Sequence, residues 1–154
     1  MLTYLNKNVN LKDLIAVMDE QLKAGKKVSF VPRGNSMRPM LHGGTDMIIL
    51  SKPVGRLHLF DVALYYRQET NAYVVHRVVG FQKDGSYVML GDNNFQREYN
   101  ISEEDIIGVV TAFYRKGKMH SVDSLLYRLY NNVWYYTRPM RLLVLKAKAK
   151  IRSN

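Results

Sequence analysis

Apolar residues recur at helical spacing only towards the two ends of this chain, and the stretch between them breaks into short apolar runs. In LKDLIAVMDEQLK (residues 11 to 23), Leu11, Leu14, Ile15, Met18 and Leu22 share one helical face. Asn10 is the expected N-cap and Gly25 the expected stop. VSFVP (28 to 32) reads as a strand. From 46 to 115 the runs DMIILS, FDVALYYR, AYVVHRVVGF, SYVML and DIIGVVTAFYR are rich in Val, Ile, Tyr and Phe and are separated by Gly, Asn and Asp. Lys83-Asp84-Gly85-Ser86 between two such runs predicts a hairpin. Ser121 is then expected to cap a second helix with Leu125, Leu126, Leu129, Tyr130 and Val133 along one face. An aromatic patch follows at 134 to 136, and Pro139 suits the first turn of a last helix through 140–152.

This pattern predicts a fold that is mainly β with flanking helices (α+β), on an antiparallel sheet or barrel. It divides into residues 1–120, an N-terminal helix plus a β-rich catalytic-looking part, and residues 121–154, a helical C-terminal extension. The 154 residues suffice for one domain with a modest core. The 47% hydrophobic and 23% charged fractions argue against a disordered chain. There is no cysteine, which excludes disulfides, thiolate catalysis and cysteine-based zinc sites. The four histidines lack metal-ligand spacing, so no metal is expected.

Charge is concentrated at one end. Of the net +10, most falls after residue 120, where Arg128, Arg138, Arg141, Lys146, Lys148, Lys150 and Arg152 face a single acid, Asp123. Such an end favours an anionic partner. The aromatic patch beside apolar-basic helical sequence points to an anionic membrane surface docked through 121–154, in preference to nucleic acid. The start of the chain lacks the look of an export signal, and no run of eighteen apolar residues is present. The expected location is cytoplasmic or peripheral at a membrane.

Three polar residues stand in settings that suit chemistry. Ser36 lies in GNSMRPML, a turn punctuated by glycine and proline. His76 lies inside the apolar run VVHRVV, and Asp92 follows another strand in Gly91-Asp92-Asn93-Asn94. A serine hydroxyl hardly ionises near neutrality and needs a base to become a nucleophile. Imidazole, with a reference pKa of about 6.5, suits that task, and a carboxylate behind it would hold its tautomer. Singly, each residue is more at home as an ordinary turn or half-buried strand residue, and none by itself supports catalysis.

Together, GNSMRP, HRVVG and GDNN resemble the signatures of the type I signal peptidases, in the serine peptidase superfamily that also holds the LexA-like autoproteases. Ser36 falls at the nucleophile, with Met37 and Pro39 in place. His76-Arg77-Val78 and Gly91-Asp92-Asn93 fall at the two later signatures. Common bacterial members carry lysine where this chain has His76, so the resemblance is to the Ser-His branch of endoplasmic-reticulum type. It covers about 28 to 115.

The resemblance implies a peptidase fold of that family and a serine endopeptidase that cleaves an extended leader or signal-type peptide after small residues, with no cofactor. Two acids compete to orient His76. One is Asp92. The other is Glu98, where endoplasmic-reticulum-type members carry aspartate and where Arg97 departs from their acidic pair. The Ser36 backbone N–H is the natural oxyanion donor, with Gly34 and Asn35 letting the chain approach closely. Many members supply a hydroxyl at the position of Gly34, which has none. The competing expectation is a catalytically weak or inactive module of the same fold that binds a membrane surface or nucleic acid.

Overall fold

The computed structural model describes residues 11–143. The expected Asn10 cap and the part of the last helix beyond 143 lie outside them. A first helix, α1 (Leu11–Lys23), buries Ile15, Met18 and Leu22 against the sheet. It ends as its glycine foretells. Gly25 takes φ +76°, and the N–H groups of Gly25 and Lys26 return to the carbonyls of Leu22 and Gln21.

Eight strands follow: β1 (Val28–Phe30), β2 (Met47–Ser51), β3 (Val62–Arg67), β4 (Ala72–Phe81), β5 (Tyr87–Leu90), β6 (Glu98–Ile101), β7 (Ile106–Arg115) and β8 (Lys118–Ser121). All pair antiparallel, in the order β1-β2-β7-β3-β4-β5-β6. β8 folds back on the end of β7. A second helix, α2 (Leu125–Tyr136), lies across one face, and helix resumes over 138–143 after a turn at Thr137. The architecture is thus mainly antiparallel β with flanking helices. Among the described residues, no helix is long and apolar enough to cross a membrane.

Two expectations about local structure are corrected, and two strands are added to those expected. β6 (EYNI) and β8 (KMHS) were not legible as strands, because both are largely exposed and polar and owe their conformation to pairing with β5 and β7. Ser121 does not cap α2. It ends β8, and Ser124 is the N-cap, its hydroxyl accepting from the Tyr127 N–H. The leucine face is not the packed face either. Leu125, Leu126, Leu129 and Val133 are exposed, whereas Tyr127 and Asn131 are buried and Tyr130 and Trp134 partly so.

Two apolar clusters occupy opposite faces of the central strands. One gathers α1, Met37, Met40, Leu41, Val62, Leu64 and Tyr127. The other gathers Ala63, Tyr65, Val78, Tyr87, Met89 and Ile101. Strand alternation sends neighbours to opposite sides. His76 pairs with Ala63 and Arg77 with Val62, so these two polar residues leave β4 in opposite directions. That divergence sets the geometry described next.

Candidate active site

His76 is 2% exposed, and its ring is held from one side. Its Nδ1 lies 2.7 Å from Glu98 Oε1 and 3.1 Å from the Tyr65 hydroxyl. Tyr65 in turn donates to Glu98 Oε2 at 2.7 Å, and Arg67 reaches the same carboxylate at 3.4 Å. Register explains the meeting. Tyr65 pairs with Val74, which puts His76 on the diagonal two residues along the same face. Glu98 pairs with Met89, itself paired with Val78, so the carboxylate comes to that face from two strands away.

The protons follow from these contacts. Burial raises the Glu98 carboxyl, but hydrogen bonds from His76 and Tyr65 more than reverse this and leave it below the usual carboxylate range. Burial, then the Glu98 carboxylate, push the Tyr65 hydroxyl far up, so it stays protonated and donates. Tyr65 thus spends its hydrogen on Glu98, and its oxygen accepts from His76. With Nδ1 the donor, Nε2 of a neutral imidazole is the acceptor. The Asn94 amide faces it at 3.4 Å, a long contact.

Asp92 does not reach His76. Its two oxygens accept from Arg77 Nε at 2.7 Å and Nη2 at 2.8 Å, and Tyr130 adds a bond at 3.1 Å. Arg77 Nη1 donates to Asn131, Tyr127 and the Phe60 carbonyl. Burial would lower the Arg77 pKa, and the Asp92 carboxylate more than offsets that, so the guanidinium is held charged. Asp92 and Arg77 therefore form a buried clamp between the sheet and α2. Of the two acids considered for His76, only Glu98 contacts it.

The turn carrying Ser36 is tied to the Gly91-Asp92-Asn93-Asn94 turn through its backbone. The Asn93 N–H donates to the Ser36 carbonyl at 2.8 Å, and the Asn93 amide to the Asn35 carbonyl at 3.3 Å. A Cβ on Gly91 would stand 2.8 Å from that Ser36 oxygen and 2.9 Å from the Asn94 amide, so only glycine fits there. Each residue of the turn has its own task. Gly91 admits the serine turn, Asp92 holds Arg77, Asn93 carries the serine carbonyl, and Asn94 meets His76.

The serine turn is anchored at both ends. Met37 and Met40 are buried in the core, and the Pro39 carbonyl accepts from Arg115. Gly34 has φ +91°, and its backbone presses on Gly43 so closely that a Cβ there would meet the Gly34 carbonyl at 1.9 Å. A serine or threonine at 34 would have to adopt a backbone that side-chain-bearing residues avoid. Asn35 is exposed and Ser36 partly buried. Among the described residues, neither the Ser36 hydroxyl nor its backbone N–H has a hydrogen-bond partner.

Sequence reasoning passed over Tyr65, Asn94 and the inner face of α2. Tyr65 sits in an aromatic-rich strand and carried no signal of its own. Asn94 was legible as the fourth residue of GDNN. No family model matches this chain, and no curated protein matches it.

Proposed function

We propose that the chain is a serine endopeptidase of the type I signal peptidase kind, with the corresponding peptidase fold, acting on an extended leader or signal-type peptide. The observation that carries this reading is the orientation of His76. Its Nδ1 is held by Glu98 and Tyr65, which leaves Nε2 as an acceptor beside a turn hydrogen-bonded to the Ser36 carbonyl. In this reading His76 Nε2 takes the Ser36 proton as Oγ attacks the scissile carbonyl carbon. The tetrahedral oxyanion is received by the Ser36 N–H. His76 then passes the proton to the leaving amine, and the same groups in reverse let water hydrolyse the acyl-enzyme. Glu98 stabilises the imidazolium, and Asp92 with Arg77 keeps the turn in place.

A fluorophosphonate probe read by intact mass tests it. Stoichiometric labelling is expected in the native protein, none in Ser36→Ala, and a roughly 10²–10⁴-fold slower rate in His76→Ala. Labelling that survives Ser36→Ala would refute the assignment. A second reading, a peptidase-fold module without catalysis, is favoured by the Ser36 hydroxyl, which has no partner among the described residues, and by Asn94 standing at Nε2. It predicts folded native protein that neither reacts with the probe nor cleaves peptides.

A further inference from the structure

Among the described residues, the outer side of α2 and of the helical turns after it has no partner. Leu126, Leu129, Val133, Tyr136, Met140 and Leu143 follow one another at alternating steps of three and four residues, and all are between 53% and 81% exposed. That spacing makes a single apolar stripe along a helix. Helical hydrogen bonds run on through the turn, from Thr137 N–H to Val133 and from Arg141 N–H to Thr137, so the stripe continues past Tyr136.

We propose that this stripe is a docking surface for an anionic lipid bilayer. Charge selects the occupant. Between 124 and 154 the chain carries seven basic residues and no acid; Arg138 and Arg141 bond back to carbonyls of the fold, which leaves Arg128, Lys146, Lys148, Lys150 and Arg152 as the cations for a partner. An interfacial helix combines an apolar face with such cations, which meet anionic headgroups while the apolar face enters the acyl boundary. A second copy of the chain fits poorly, because paired stripes would bring like charges together with no acid to answer them. Nucleic acid would satisfy the charge and leave the stripe in water.

The opposite side of the same helix grips the candidate active site. Trp134 donates to the Asp92 carbonyl, Tyr130 to its carboxylate, Arg97 to the Tyr135 hydroxyl and Arg138 to the Phe95 carbonyl. A bilayer on the outer face would therefore hold the 92–97 segment at a fixed height above the membrane. The docking proposal does not depend on catalysis.

The test is co-sedimentation with vesicles of phosphatidylcholine containing about one third phosphatidylglycerol, against pure phosphatidylcholine. The native chain is expected to bind the anionic vesicles and to be released by high salt. Leu129→Gln with Val133→Gln should bind roughly tenfold or more weakly. Both positions are exposed, so circular dichroism and thermal midpoint should not change. Ser36→Ala should bind like the native chain, which separates failure of docking from failure of the peptidase reading. Equal binding by the double variant would overturn the proposal. So would a native dimer that the double variant dissolves, or binding of duplex DNA without binding to vesicles.

Discussion

Asp92→Asn isolates the clamp between the sheet and α2. The substitution keeps shape and removes one charge. Arg77 and Asp92 are 2% and 8% exposed, joined by two hydrogen bonds of 2.7 and 2.8 Å, with Tyr130 on the carboxylate and Asn131 and Tyr127 on the guanidinium. Removing one partner of a buried ion pair typically costs about 3–5 kcal/mol, because the other charge stays in a poor solvent. Asparagine retains one acceptor for Arg77, so the low end applies, about 3 kcal/mol. For a chain of this size that is a fall in thermal midpoint of roughly 6–12 °C.

Urea unfolding followed by circular dichroism, with Arg77→Met and Asp92→Leu made singly and together, measures it as a double-mutant cycle. The paired apolar replacement should recover most of what either single change loses. A loss below about 1 kcal/mol in Asp92→Asn, or additive single losses, would refute the claim that the carboxylate is the counter-ion of a desolvated guanidinium. Probe labelling per folded molecule should fall far less in Asp92→Asn than in Glu98→Gln.

Glu98→Gln should slow probe labelling roughly 10²–10⁴-fold while the protein remains folded, read by labelling rate beside thermal midpoint. The Glu98 pKa is depressed in the fold, so its contribution to stability is present above the unfolded value of about 4.3 and is lost as pH falls through the folded value. The midpoint difference between native protein and Glu98→Gln should accordingly shrink below about pH 4. Tyr65→Phe removes a donor from Glu98, so the pH at which the Glu98 contribution to the thermal midpoint is lost should move up; an unmoved value would limit Tyr65 to packing. Gly91→Ala should lower labelling by about 10²-fold through displacement of the serine turn, and full labelling would mean that the turn yields without cost.

The residues alone carried the β-rich class with helical flanks, the extent of α1 and its glycine stop, and the 83–86 hairpin. These were legible because period, turn chemistry and helix stops are local. β6 and β8 were not, since a short polar strand is extended only because a neighbour pairs with it. The face of α2 was misread for a related reason. Tyr127, Tyr130, Asn131 and Trp134 turn inward, the first and third buried and the others partly so, because Arg77 and Asp92 offer them polar partners, and no hydrophobic count would rank them above four leucine and valine side chains.

The two acids show the same limit. Asp92 and Glu98 are six residues apart, and the sequence kept both, with Glu98 the weaker motif match. The register of β3, β4, β5 and β6 puts Glu98 on the His76 face. Alternation sends Arg77, and Asp92 with it, to the other. The chain determined which side chains were present and roughly which elements they ride on. Which carboxylate meets the imidazole was decided by pairing across strands distant in sequence, where one residue of register turns a side chain to the opposite side of the sheet.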